Sequence, residues 1–296
     1  MNLGRSQKAL LLAIVSTAFF TIMHSLVRYL SDSLHPFEIS FFRGLFGLIA
    51  VMPLLLGVGT NVLKARNTGL LTLRGILTAI SMLCWFYGLS LVPIADATAL
   101  SFTNILFATV GASLFLGETM RLRRWSAVVL GFLGMLFIVR PGFAELNVGI
   151  VVVLCSAVIW GGNNVLVKKI SRTDSTLTIV VWTASVLTLA TVIPAISVWR
   201  WPSGTELLLL ALIGTLGTIG HIAWTYALKT ADATVIIPTD FTRLIWAVGI
   251  GFFFFAELPN HWTWLGSALI IGSTAYIGYR EGQLARDRSP PASVDS

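Results

Sequence analysis

The sequence predicts an all-α membrane protein, with ten transmembrane helices arranged as two inverted-topology five-helix repeats. Three observations carry this. The 296-residue chain is 56% hydrophobic and only 11% charged, where a soluble domain is typically about 25% charged. Its apolar residues gather into ten runs, and an α-helix needs roughly 20 apolar residues to cross a hydrocarbon core about 30 Å thick. Residues of the first half also recur in the second at an offset of 139 or 140.

In chain order the runs cover residues 9–30, 37–57, 69–91, 94–117, 125–139, 148–167, 177–198, 206–228, 233–256 and 262–279. Helices are the natural reading, because each backbone N–H and C=O must find a partner inside lipid. The first run follows Arg5 and Lys8, as a secretory leader would. It outlasts the apolar stretch of a leader, which is about 7–15 residues, and is read as a retained helix. The fifth run is short and could start among residues 121–124. The connections are brief. The segment 286–296 is polar and proline-containing, and reads as a disordered cytoplasmic tail.

Lysine and arginine set the orientation. With the N-terminus inside, fourteen of them fall in inside segments, against Arg28, Arg140 and Arg200 outside. Both termini are therefore expected in the cytoplasm. The net charge of +7 suits anionic headgroups, and nucleic acid is not an expected partner. Cys84 and Cys155 lie in apolar runs without metal-ligand spacing and read as small buried hydrophobes.

The repeat is visible residue by residue. At offset 139, Trp85 matches Trp224, Phe102 matches Phe241, Glu118 matches Glu257 and Trp125 matches Trp264. At offset 140, Ser16 matches Ser156, Val27 matches Val167 and Arg28 matches Lys168. The units are expected at residues 8–140 and 148–281. Five helices is an odd number, so the second unit must enter the bilayer in the opposite sense. Inverted repeats of this kind suit alternating access.

Polar groups are costly in lipid and tend to face a bundle interior. Here they form stripes at helical spacing: Thr17, Thr21, His24 and Arg28; Thr78, Ser81 and Trp85; Ser101 and Asn104; Ser156, Trp160 and Asn163; Gly214, Thr218, His221 and Thr225. Five such faces could line one central cavity. Any single Ser or Thr has a plainer reading, a bond back to its own helix. Asp240 and Arg243, three apart on the ninth helix, read equally as a structural ion pair or as groups for a substrate amine and carboxylate. His24 and His221 could carry protons or be satisfied core histidines. Trp85 and Trp224 lie toward helix ends, where interfacial anchoring competes with substrate stacking. Trp160 is nearer the middle and is the better stacking candidate. Arg43 and Arg74 could snorkel to headgroups, but Arg43 lies near the outer face, where positive-inside logic does not explain it. Gly214, Gly217 and Gly220, like Gly131 and Gly134, read as close-packing positions.

Leu116-Gly117-Glu118 followed by Trp125, Gly131 and Gly134 resembles the end of an EamA domain, and Ala256-Glu257, Trp264, Gly266 and Gly272 resemble its second copy. Two in tandem resemble the ten-helix exporters of the drug/metabolite transporter superfamily. His35-Pro36-Phe37-Glu38-Ile39-Ser40-Phe41-Phe42-Arg43 and Ala95-Asp96-Ala97-Thr98 are similar to the branch holding carriers of organic anions. The resemblance implies an inner-membrane carrier of small amphipathic metabolites, such as amino acids including aromatic ones, in the export direction. Import or exchange of an organic anion or vitamin-like metabolite is the alternative. Glu118 and Glu257 match the family's helix-end glutamates, and with Arg43 they are candidate gates.

The expected substrate-binding set is His24, Ser101, Asn104, Trp160, Asn163, His221, Asp240 and Arg243. No catalytic or metal-ligand constellation stands out, so a membrane-embedded enzyme is the weaker reading. No cofactor is expected. Without a Gly-x-x-x-x-Gly-Lys-Ser/Thr loop, ATP is not an expected partner; protons are.

Overall fold

The computed structural model describes residues 5–58, 65–116, 122–140, 147–170, 173–174, 176–230 and 236–288. Among them the chain forms helices and turns, with no strand. In order they are α1 Arg5–Leu30, α2 Pro36–Val58, α3 Thr68–Leu91, α4 Ile94–Ser101, α5 Thr103–Leu116, α6 Leu122–Val139, α7 Val148–Ile170, α8 Thr176–Ser197 and α9 Gly204–Thr230. A 3-10 turn, Ile237–Phe241, then leads into α10 Thr242–Phe255 and α11 His261–Arg288. α4 with α5, and the 3-10 turn with α10, each make one crossing, so ten spans result. By length and composition alone, Gln7–Leu30, Thr68–Leu91, Ile94–Gly111, Thr178–Ser197 and Gly204–Ala227 are each apolar enough to cross a bilayer. α11 runs on to Arg288, so residues 286–288 of the expected tail are helical; 289–296 lie outside the described residues.

The apolar runs at 94–117 and 233–256 read as unbroken helices, and the structure breaks both. Phe102 ends α4 with φ −65 and ψ −17. Phe241, its repeat partner, starts α10 with the same φ −65 and ψ −17. Hydroxyls around each break bond back along the chain. Ser101 Oγ donates to Thr98 O at 2.7 Å and Thr103 Oγ1 to Leu100 O at 2.6 Å. Thr239 Oγ1 donates to Ile236 O at 2.6 Å and Thr242 Oγ1 to Thr239 O at 2.7 Å. Such bonds compete with the helical ladder and bend it. Pro238 falls in the first turn of the 3-10 segment, where it withholds an amide donor. The two phenylalanine rings meet edge-to-face at 5.1 Å.

The repeat also governs helix packing. α1 packs along α9 and α3 along α7. In the first seam Ser16 Oγ donates to Gly220 O at 2.8 Å. In the second, Ser81 and Ser156 exchange hydroxyl-to-carbonyl bonds of 3.0 and 2.9 Å. Ser16 matches Ser156, and Gly220 lies 139 residues beyond Ser81. α2 packs on α8 and α9, while α6 packs on α11. There the glycines act as expected: a Cβ on Gly134 would lie 2.7 Å from Gly266 O, and one on Gly131 would lie 2.6 Å from Ser273 Oγ.

Let the near face be the one on which α1 begins. The large core lies toward the far face. It joins Val27, Leu30 and Leu34 to Ile39 and Phe42, Leu89 and Val92, Ile94, Ile138 and Val139. Toward the near face, burial divides into three small clusters, built around Ala13 and Ala227, around Leu106 and Ile277, and around Leu71 and Ile170. α4 packs against α10 on the far side of the breaks, and among the described residues no comparable packing joins α5 to the 3-10 turn on the near side.

Candidate functional site

The broken helices bring polar groups to the middle of the bundle. After Phe102, Asn104 turns its Nδ2 onto Ser101 O at 2.6 Å. At the matching place, Arg243 Nη2 reaches Asp240 Oδ2 at 2.6 Å. The Arg243 guanidinium lies 5.2 Å from the Phe102 ring centroid, close enough for a cation–π attraction. Its Nε is buried without a partner.

His24 and His221 flank this centre. The His24 ring meets Trp85 at 5.3 Å, and the His221 ring meets Phe20 at 4.8 Å. Arg43 and Arg243 lie near enough to act electrostatically on His24, and both act with Arg74 on His221. Arg43 reaches from α2 to α9 because Gly217 has no side chain. A Cβ there would sit 3.3 Å from Arg43 Nη2 and 2.8 Å from Met23 Sδ. Arg74 is held by Thr183 Oγ1 and Ile179 O. The centre thus gathers His24, His221, Arg43, Asp240 and Arg243, with Asn104 and Ser101 across the Phe102–Phe241 contact.

Two expected residues sit apart. Asn163 is in the α3–α7 seam, where its Nδ2 donates to Thr78 Oγ1 at 2.7 Å; its Oδ1 is buried without a partner. Trp160 is 37% exposed and makes no ring contact among the described residues. Helical spacing placed it on a stripe with Asn163, but three residues along a helix leave an angular offset wide enough to divide seam from exterior. Trp224 packs with Ala9, Ala13 and Ala227, a structural place.

Glu257 holds the far end. It pairs with Arg28, and its second carboxylate oxygen accepts from Ile94 N at 3.1 Å. Arg28 also donates to Leu89 O at 2.8 Å and Val92 O at 2.5 Å. One carboxylate and one guanidinium therefore tie α1, the α3–α4 turn and the segment after α10. Asp96, in the first turn of α4, accepts from Thr263 Oγ1 of α11 at 2.8 Å. Glu118, the matching glutamate, lies outside the described residues. Sequence reasoning missed Arg28 as the partner of Glu257, although it counted it toward topology, the repeat and a polar stripe; it shares with Arg43 an unexplained place near the outer face. It also missed Thr242, which bonds Thr17 across α1 and α10 at 2.7 Å.

A model of the EamA-like transporter family matches residues 7–140 and again 147–279. The chain belongs to that family. Its relatives carry different cargoes. This EamA-family chain is 31% identical over 271 residues to an S-adenosylmethionine uptake transporter of Rickettsia felis, covering 92% of this chain and 91% of that one. It is 30% identical over 272 residues to a riboflavin transporter of Vibrio cholerae, covering 90% and 91%. It is also 30% identical over 273 residues to the pseudopaline exporter CntI of Pseudomonas aeruginosa, covering 92% and 96%. A solved crystal structure matches with a TM-score of 0.63 at 19% identity, covering 95% of this chain and 99% of that one; this is a likeness of fold alone. The EamA-family chain is accordingly a multi-pass membrane transporter of a small molecule.

Proposed function

We propose that the chain is an inner-membrane carrier that moves a small amphipathic metabolite with a carboxylate, amino acids included, by alternating access. The observation that carries this reading is the unequal packing about the paired helix breaks. On the far side α4 and α10 are packed and the Arg28–Glu257 pair ties both repeats. On the near side the matching elements are not packed together among the described residues. The two repeats are built alike, so the opposite state, closed near and open far, uses the same contacts in exchanged roles.

In this reading the substrate lies at the breaks, between α1, α3, α4–α5, α7, α9 and α10. Arg243 takes the carboxylate, Asp240 an amine or a proton, and Asn104 and Ser101 offer amide and hydroxyl groups. His24 and His221 sit beside that path as proton-handling groups, and Trp85 and Phe20 form its apolar wall. Asn163 and Trp160 support rather than touch the substrate. Glu257 closes the far end, Glu118 is assigned the matching duty near the cytoplasm, and Arg43 stands at the centre against Gly217. The lysine and arginine bias supports cytoplasmic termini, the composition of 286–296 supports a polar tail, and the matches at offsets 139 and 140 support repeats at 8–140 and 148–281. Export is what the family resemblance implies. One named relative takes up and another exports, so the gradient rather than the fold sets the direction here.

The test is counterflow of labelled amino acids and organic acids in proteoliposomes holding the full chain, with and without a pH gradient. Saturable exchange that Arg243→Ala abolishes is expected, and dependence on the gradient identifies proton coupling. Saturable exchange that survives Arg243→Ala unchanged would overturn the site.

A further inference from the structure

We propose that Arg43 is a substrate-binding cation and that the molecule carried is a net anion, with a second carboxylate or equivalent acidic group beyond the one assigned to Arg243. This rests on the carrier reading above and deepens it.

The argument begins with partners. Among the described residues, each arginine within a membrane span has one, except Arg43; Arg140, at the far end of α6, also buries an Nε without a partner. Arg28 holds two carbonyls and Glu257. Arg74 holds Thr183 and Ile179 O. Arg243 holds Asp240. Arg43 makes no hydrogen bond and no ion pair, although its guanidinium carries five N–H donors. It is no surface side chain curling back to headgroups, because its Nη2 and Nε lie against the bare backbone of Gly217, in the middle of α9. An arginine left so within a membrane span is costly unless something pairs with it.

Charge makes the same point. The groups acting electrostatically on His24 are Arg243, Arg43 and His221, and those acting on His221 are Arg43, Arg74 and Arg243. Among the described residues the nearest carboxylate to this group of cations is that of Asp240, which is bound to Arg243. The other described acids near the bundle stand toward its two ends and are already engaged: Glu257 on Arg28, Asp96 on Thr263 and Glu38 on the Arg200 amide at 3.2 Å toward the far face, and Asp174 on the Arg66 amide at 2.7 Å toward the near face. Among the described residues the centre therefore holds more positive than negative charge, and none of them balances it. A carried anion would, and its acidic groups would find the free donors of Arg43 and the unpartnered edge of Arg243.

α9 is built to hold Arg43 there. Gly214 lies against Phe46, Gly217 against Arg43 and Met23, and Gly220 against Phe20. One glycine of the three thus clears space for a guanidinium as well as for Met23.

The experiment uses the purified full chain in two measurements. The first is counterflow in proteoliposomes with labelled succinate, glutamate, phenylalanine and choline, comparing wild type with Arg43→Gln and Arg43→Lys. Exchange of succinate or glutamate is expected. It should fall at least about tenfold in Arg43→Gln and be partly kept in Arg43→Lys, in line with the loss of a charge-assisted hydrogen bond. The second is thermal unfolding in detergent. Without ligand, Arg43→Gln should unfold at or above the wild-type temperature, because an unpaired cation is removed. Added succinate should raise the wild-type temperature and leave that of Arg43→Gln unmoved. Saturable exchange of phenylalanine or choline alone, equal in wild type and Arg43→Gln, overturns the anion proposal and leaves the carrier reading intact. A ligand-free Arg43→Gln that unfolds several degrees lower makes Arg43 structural and overturns it too. Exchange of no probe of any charge removes the carrier reading and this one with it.

Discussion

The two broken helices share a backbone and differ in chemistry. Phe102 and Phe241 have the same dihedral angles and touch each other. Behind the first, a neutral amide closes onto a carbonyl of its own helix; behind the second, a guanidinium closes onto a carboxylate. The break is thus a property of the fold, held by back-bonding hydroxyls in both repeats. The ion pair is an addition made in one repeat only, where an even division of labour would have put the same groups in both. What duplication built alike has been charged on one side.

The comparison is broken most severely by giving the second repeat the chemistry of the first. Asp240→Ser combined with Arg243→Asn removes both charges together, so it should fold, while counterflow falls by at least about tenfold. Removing one partner alone is worse for stability. Arg243→Met strands Asp240 in the span and should cost about 3 kcal/mol, read as a lowered unfolding temperature that Asp240→Asn in the same chain largely restores. If the double neutral variant unfolds as badly as Arg243→Met, the pair is part of the fold.

The far-end tie gives the next effect. Glu257→Gln takes the charge from the Arg28 partner and weakens the hold on Ile94 N. It should shift the protein toward the state open on that face. A cysteine at Ser90, with Cys84 and Cys155 replaced, should then react several-fold faster with an impermeant thiol reagent. Unchanged labelling would mean that the apolar core around Leu30, Leu89 and Ile94 keeps that face shut alone.

Smaller effects sharpen the picture. Gly134→Ala pushes a methyl group against the Gly266 carbonyl, a backbone contact that cannot swing aside, and should cost about 1–3 kcal/mol. Phe102→Leu and Phe241→Leu in a double-mutant cycle should show a coupling near 1 kcal/mol. Trp160→Ala, on an exposed face, should leave counterflow within about twofold, since such positions usually change energies by roughly half a kcal/mol.

Much of the architecture was legible because lipid imposes it. Run length gave the spans, and the offset between Trp85 and Trp224 gave the inverted repeat. The helix breaks were not legible, since Phe102 is an apolar residue inside an apolar run and nothing in composition marks the turn; only Pro238 hinted at the second. The central cluster was half legible. Asp240 and Arg243 announce themselves as charges in a span, and His24 and His221 as polar residues on a stripe. Spacing could not say which face looked inward, so Trp160 and Asn163 were grouped with them, and the one goes to an exposed face and the other to a seam. Nor could it say who pairs with whom. Arg28 and Glu257 lie 229 residues apart, while Arg43 looks in sequence like any arginine near a helix end. Its lack of a partner is visible only once every neighbour has been placed.

The edge-to-face contact between Phe102 and Phe241 has a consequence of its own. Residues matched by the repeat that touch each other lie on the axis relating the repeats. A ring offering its edge to a ring offering its face cannot obey such an axis, because the two roles differ. At its centre the molecule therefore holds a contact that must take sides. The reverse arrangement, with edge and face exchanged, is equally good for the rings. A scaffold built in two like halves thus turns about an asymmetric pivot, and the Arg243 guanidinium on the Phe102 ring favours the side on which it rests here.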